Sequence, residues 1–246
     1  LALVRLRALA GDPDLGARLE RLRDQFLYES STIAMADLHD LRRRQVAEKV
    51  ATGQLNAKFS PGALVDVEYC VQMLQVQHGG RHPAVRTPRI HEAIAALAGI
   101  GILASGESQR LTQAYDFLRR LINALRLLRG NALDLCLPDP ASLEYRHLAR
   151  RMGYQPRQEL DVDRQLYADF ATATAVVRRF VQQHVAGPVV AASGQGNVVD
   201  LLLHDDPPAE PVARILGAMG LRDPRRALVN LRLLADRPGC SEDFLR

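Results

Sequence analysis

Helix-start signals followed by apolar residues at helical spacing recur along the whole chain, and they constrain the fold more than any other feature. Asp12-Pro13, Thr87-Pro88 and Asp223-Pro224 each place a capping residue before a proline, which is tolerated in the first turn of a helix. Apolar residues follow each start at intervals of three or four: Leu15, Leu19, Leu22 and Phe26; Ile90, Ile94 and Leu97; Leu228, Leu231 and Leu234. This spacing is typical of amphipathic helices.

Two long helices are predicted over residues 109–129 and 161–185, because continuous apolar stripes cover these stretches, and a shorter helix is predicted over residues 142–152. Gly130 and Gly153 stand where two of them should end. Strand signals are confined to 65–71 and to the valine pairs of 187–203. The sequence therefore predicts an all-α fold.

A break in this pattern suggests two parts. The glycine-containing stretch 187–197 and the following Asp205-Asp206-Pro207-Pro208 have the composition of a linker. We therefore predict a helical bundle over residues 1–187, followed by a linker and a small helical extension over residues 188–246.

The composition fits a globular protein whose core is built from aliphatic side chains. Of the 246 residues, 47% are hydrophobic, only 5% are aromatic and none is tryptophan. The three cysteines lie far apart and have no metal-binding or disulfide spacing. No apolar run approaches the length of a membrane span, and the start is too short and charged for a signal peptide. We expect a cytoplasmic chain that is part of a longer protein.

The basic residues give weak support for nucleic-acid binding. The net charge is +4, and the bases are almost all arginine, Lys49 and Lys58 being the only lysines. Aromatic residues do not alternate with basic ones, so nucleic acid is not an expected partner. The histidines, including His78 and His82, have no ligand spacing, and no metal site or nucleophilic triad is predicted.

Residues 56–69 are the most informative for function, since a lysine, a glycine and two acids follow one another closely there. On a strand, Asp66 and Glu68 would point to the same side and could hold a magnesium ion. On a helix they would lie about 200° apart and could not share a metal. The periodicity of the neighbouring residues fits both structures equally well.

This stretch resembles a motif of the glutamine synthetase adenylyltransferase and PII-uridylyltransferase families. The motif has a lysine, paired glycines, Asp-Ile-Glu-Phe and a glutamine, and in those families it opens a long helix. The matching residues here are Lys58, Gly62, Asp66, Val67, Glu68, Tyr69 and Gln72. Further resemblances follow in the family's order: Ala10-Gly11-Asp12, Leu41-Arg42 with Glu48, Tyr115-Asp116-Phe117-Leu118-Arg119, Leu137-Pro138 and the stretch 148–154.

Two residues depart from the family pattern. Ala63 replaces the second glycine, and Ile122 stands where the family usually has a glutamate. The family's catalytic element, Gly-Ser or Gly-Gly followed by Asp-x-Asp, is absent from these 246 residues. We therefore expect no catalytic residues in this chain and no nucleotide transfer by it alone.

The resemblance implies a non-catalytic, regulatory or cleft-framing helical domain of a glutamine synthetase adenylyltransferase. The implied parent enzyme adenylylates and deadenylylates glutamine synthetase, with ATP and magnesium. Implied partners are an adjacent nucleotidyltransferase domain and glutamine synthetase, together with the PII protein and glutamine as signals. Alternatives are a stand-alone helical interaction scaffold and an arginine-rich nucleic-acid binder.

Three residues are candidates for contacting the nucleotide or the neighbouring domain: Lys58, Asp66 and Glu68. A lysine beside a helix N-terminus would attract a phosphate. The two acids also have an ordinary interpretation, since negative charges are favoured in the first turn of a helix.

Overall fold

A computed structural model describes residues 1–30, 35–156, 161–184, 196–204 and 206–235 of the chain. Within those residues the structure is all-α, as predicted, and its strand-like pairing is an isolated bridge between Asn56 and Cys136. The α-helices are α1 (Pro13–Asp24), α2 (Met35–Lys49), α3 (Leu64–Gly79), α4 (Ile90–Gly99), α5 (Ser105–Arg129), α6 (Leu143–Arg151), α7 (Val162–His184), α8 (Val198–Leu203), α9 (Ala209–Ala218) and α10 (Pro224–Ala235).

The main core forms where α3, α4, α5 and α7 pack together, and α5 and α7 pair along much of their length. Helix α3 lies at its centre and is buried on several sides, which explains why its sequence lacks a clear polar face. Its side chains Val67, Val71 and Met73 have no exposed surface. Residues 65–71 are therefore helical, and the helical alternative for Asp66 and Glu68 is the correct one.

The predicted helix limits agree with the structure to within a few residues where both can be compared. Helix α5 begins at Ser105, four residues before its predicted start, and ends at Gly130, whose φ of 67° is left-handed. Val198 and Val199 lie in α8, so the strand signal at this valine pair was wrong. The boundary between residues 187 and 188, the other valine pair and the predicted stop at Pro238-Gly239 lie outside the described residues.

The amino-terminal segment, residues 1–30, packs on α3 through a small apolar cluster that contains Val4, Leu27, Tyr28 and, from α3, Val76. The Arg86 guanidinium lies over the Tyr28 ring, 4.9 Å from its centre, and ties this segment to the bundle. The face of α1 that carries the predicted apolar stripe is exposed, at Leu15, Leu19, Leu22 and Phe26. The helix is therefore correct, while its apolar stripe is largely exposed in the part of the chain that the structure describes.

Helices α8, α9 and α10 form a carboxy-terminal unit around a separate small core. Its buried side chains are Leu201, Val212, Ile215, Leu216 and Leu228. A capping box starts α8: the Asn197 side chain accepts hydrogen bonds from the N–H groups of Val199 and Asp200, and the Asp200 carboxylate accepts one from the Asn197 N–H.

Both departures from the family pattern fit this fold. Ala63 has extended backbone geometry, with a φ of −86°, so its position does not require glycine. Ile122 lies in the apolar core of α5, where only 3% of its surface is exposed. A glutamate there would need a buried partner, and isoleucine does not.

Gly62 is a glycine that the fold requires close to Lys58. Its φ of 81° is left-handed, and a Cβ atom there would lie 2.3 Å from the carbonyl oxygen of Thr174 in α7. Gly53 has a similar φ of 78°, but a Cβ atom would meet nothing within 4 Å. The two glycines therefore share a conformation and differ in steric contact.

We expect Gly62→Ala to lower the free energy of unfolding far more than Gly53→Ala. The control substitution should cost about 1–2 kcal/mol, which is the strain of alanine in the left-handed region. Gly62→Ala adds a clash with the α7 backbone, and it should cost several kcal/mol in total, roughly at the upper end for single substitutions. Urea denaturation of both variants measures the difference, and equal losses would contradict the packing described here.

Candidate functional site

The turn that precedes α3, residues 56–62, carries Lys58 and is called the lysine turn below. Asn56 shapes it, because its side-chain oxygen accepts hydrogen bonds from the N–H groups of Lys58 and Phe59, both at 3.0 Å. The Ser60 hydroxyl accepts the Asn56 N–H at 2.8 Å. The Ala57 N–H donates to the Leu135 carbonyl in the segment after α5, which anchors the turn to the bundle.

Arg42 of α2 holds the lysine turn from one side. Its Nη2 donates to the carbonyl oxygens of Phe59 at 2.8 Å and Ser60 at 3.2 Å, and its Nε donates to the Asp66 carboxylate at 2.5 Å. The Arg42 side chain is only 14% exposed, so the carboxylate is needed to neutralise a largely desolvated charge.

Arg178 of α7 holds the turn from the other side. Its Nη1 donates to the Pro61 carbonyl at 3.2 Å, while Nε and Nη2 donate to the two oxygens of Asp200 at 2.8 and 2.6 Å. Gly62 makes this approach possible, since a Cβ atom there would lie 2.8 Å from the Arg178 Cγ. Three successive carbonyls, from residues 59 to 61, are thus bound by two arginines.

Asp66 and Glu68, the two acidic candidates, have separate partners within the chain. One Asp66 oxygen pairs with Arg42, and the other accepts the Gly62 N–H at 2.6 Å. Glu68 pairs with Arg5 of the amino-terminal segment at 2.9 Å. Residues two apart on a helix diverge by about 200°, so these two carboxylates do not fit a shared magnesium ion.

Lys58, the third candidate, differs from both acids. Its ammonium group lies 5.0 Å from the centre of the Phe59 ring, a cation–π contact. Within the described part of the chain it forms no ion pair. The lysine turn therefore presents one uncompensated positive charge on a backbone that two arginines hold in place.

Cys70 lies one helical turn after Asp66 and is part of the core. Burial raises the pKa of its thiol well above the usual range, and the negative charge of Asp66 adds to the increase. It is therefore unsuited to nucleophilic chemistry near neutral pH. Among the described residues no three His, Cys, Asp or Glu side chains are grouped to hold a metal ion, and no helix there is long and apolar enough to cross a membrane.

Arg178 and Asp200, which hold the turn from the side of α7, were not identified from the sequence. Arg42 belongs to a segment noted for its resemblance to the family, yet nothing local indicates its contacts. Its partner Asp66 lies 24 positions away, and Arg178 lies 117 positions from Pro61. The one available signal was the pairing of Asn197 with Asp200, three residues apart, which is the spacing of a capping box.

The fold and this site define the chain as a helical domain built around a rigid lysine-bearing turn. A family model described as GlnD PII-uridylyltransferase matches residues 32–185, which include α2, the lysine turn and α7 as far as His184. The chain belongs to that family.

Curated relatives are named bifunctional glutamine synthetase adenylyltransferase/adenylyl-removing enzyme. One from Streptomyces avermitilis is 33% identical over 192 residues, which cover 76% of this chain and 19% of the relative. One from Bordetella bronchiseptica is 31% identical over 252 residues, covering 96% of this chain and 24% of the relative. One from Xanthomonas axonopodis is 37% identical over 157 residues, covering 62% and 16%. The chain thus spans a quarter or less of these relatives.

We expect Asp66→Asn to destabilise the protein more than the matched change Glu68→Gln. The asparagine can still accept the Gly62 N–H, but it leaves the Arg42 charge without its counter-ion, and we expect a loss of roughly 2 kcal/mol or more. Arg5, the partner of Glu68, is 45% exposed, so Glu68→Gln should cost about 1 kcal/mol or less. Chemical denaturation of both variants checks this order, and a more damaging Glu68→Gln would contradict it.

Proposed function

We propose that this chain is the helical domain that follows a nucleotidyltransferase domain in an enzyme that adenylylates and deadenylylates glutamine synthetase. The observation that carries the proposal is the family match over residues 32–185, which includes the helices around the lysine turn. The names of the curated relatives support glutamine synthetase as the substrate. On this proposal the chain acts in the cytoplasm, and its immediate partner is the adjacent nucleotidyltransferase domain.

Within that enzyme the chain would frame the nucleotide cleft without taking part in the bond-making step. The carboxylates of Asp66 and Glu68 already bind Arg42 and Arg5, so they are poor candidates for holding the magnesium ion that accompanies ATP. Lys58 is the better candidate for a direct contact, because its charge has no counter-ion in the part of the chain described. A lysine ammonium binds phosphate as a point charge. Control by the PII protein and by glutamine remains a prediction.

We expect Lys58→Ala in the full-length enzyme to reduce the kcat/KM for ATP about tenfold, equivalent to about 1.4 kcal/mol. The physical reason is the loss of a positive charge near the nucleotide phosphates. Lys58→Arg keeps the charge and should retain part of the activity. Lys49→Ala is the matched control, since Lys49 is exposed at the end of α2 and is the only other lysine of the chain.

Steady-state kinetics with glutamine synthetase, combined with melting temperatures, tests this assignment. The expected result is a kinetic defect in Lys58→Ala with unchanged melting. Equal kinetics for the two alanine variants would remove Lys58 from the nucleotide site.

We also expect the isolated chain to transfer no AMP when it is incubated with labelled ATP, magnesium and glutamine synthetase. Phosphoryl and nucleotidyl transfer need residues that cradle the phosphates and hold the metal ions, and the sequence has no Gly-Ser or Gly-Gly closely followed by Asp-x-Asp. The chain fused to its preceding domain is the positive control. Label incorporated by the isolated chain would contradict the proposed non-catalytic role.

A further inference from the structure

Polar contacts join the carboxy-terminal unit, α8 to α10, to the bundle. Its apolar core and the main core are separate clusters of buried side chains. Where the start of α8 meets α7 and the lysine turn, a cleft of about 120 Å³ remains between Pro61, Thr174 and Asn197. Polar contacts across this junction include the paired Arg178 and Asp200, and a hydrogen bond from the Asn197 side chain to the Ala171 carbonyl at 3.2 Å. These directed contacts orient the start of α8 on α7.

One of those contacts is shared with the lysine turn. The Arg178 guanidinium uses two of its N–H groups for Asp200 and a third for the carbonyl of Pro61. Its side chain is 13% exposed, so little water is available to replace either partner. The side-chain position in which Arg178 binds both oxygens of Asp200 also places its Nη1 against the turn.

Loss of Asp200 from this position would therefore affect the turn. A largely buried guanidinium without its carboxylate must find another partner or move toward solvent. Either movement takes the Nη1 donor of the guanidinium away from the carbonyl of Pro61. Pro61 directly precedes Gly62, where the chain lies against the α7 backbone. Conversely, a displaced turn would change the position of Arg178. Such coupling between two sites is reciprocal.

We propose that Arg178 is a positioning residue that couples docking of the carboxy-terminal unit to the conformation of the lysine turn. The docked unit, through Asp200, holds Arg178 on the Pro61 carbonyl and keeps the backbone that carries Lys58 in place. This coupling goes beyond the proposed function and does not require Lys58 to contact a nucleotide. Its readouts are structural, so its failure would leave the proposed function untouched.

The test uses Asp200→Asn in the whole 246-residue chain, followed by hydrogen exchange and mass spectrometry. The asparagine can still accept the N–H of Asn197, so α8 keeps its cap while the charged pair with Arg178 is lost. We expect exchange to accelerate about fivefold both in α8 and in residues 62–66, which run from the end of the turn into α3, as for a coupling at the lower end of the usual range. Asp206→Asn is the matched control, because Asp206 is exposed and its substitution removes the same charge from the same unit.

Labelling with an amine reagent provides a second readout, since Lys49 and Lys58 are the only lysines. The rate at Lys58 should change in Asp200→Asn, while the rate at Lys49 stays constant and serves as an internal reference. A change at Lys58 equal to that in Asp206→Asn would reflect altered charge alone and would count against the proposal.

Arg178→Lys tests the contact with the turn separately from the contact with Asp200. It also replaces Asp200→Asn as the test if that variant does not fold. A lysine can keep one ion pair with Asp200, but it lacks the planar fork that reaches Pro61 at the same time. We expect faster exchange in residues 62–66 with α8 almost unchanged. Faster exchange in α8 with an unaltered turn in Asp200→Asn, or an unaltered turn in Arg178→Lys, would overturn the coupling.

Discussion

The binding of three successive backbone carbonyls by two arginines is the interaction on which the site depends. The carbonyls belong to Phe59, Ser60 and Pro61, in a turn that lies between α2 and α7. Carbonyl groups removed from water need donors, and unpaired ones are costly. Arg42 and Arg178 supply those donors, each is neutralised by an aspartate, and the turn is thereby fixed between two helices.

Guanidinium groups suit this task because one side chain can donate in several directions within a plane. Arg42 and Arg178 each bind a carboxylate and the turn at once, which a lysine could not do with comparable geometry. The arrangement also explains the position of Asp66. It lies in the first turn of α3, where its oxygens accept from both Arg42 and the Gly62 N–H. The same carboxylate thus fixes α2, the turn and the start of α3.

The sequence predicted the helices well and the contacts of the site poorly, for different physical reasons. Caps and apolar spacing are local, so the start at Pro13 and the end of α5 at Gly130 could be predicted within a few residues. Residues 65–71 were ambiguous because α3 is buried on several sides and has no polar face to set a period. The valines of α8 suggested a strand, but the cap at Asn197 and packing in the carboxy-terminal unit made them helical.

Contacts between residues that are far apart in the sequence also determine which of the three candidate residues have counter-ions. A helix N-terminus attracts an anion, and at α3 the Asp66 carboxylate already occupies that position and accepts the Gly62 N–H. A phosphate approaching the same N–H groups would meet this negative charge, so the start of α3 is a poor anion site by itself. Lys58 lies in the turn and not on the helix, with its ammonium directed over the Phe59 ring. Any attraction of the turn for a phosphate therefore depends on Lys58, and the surrounding arginines act by holding its backbone, since their own charges are neutralised by Asp66 and Asp200.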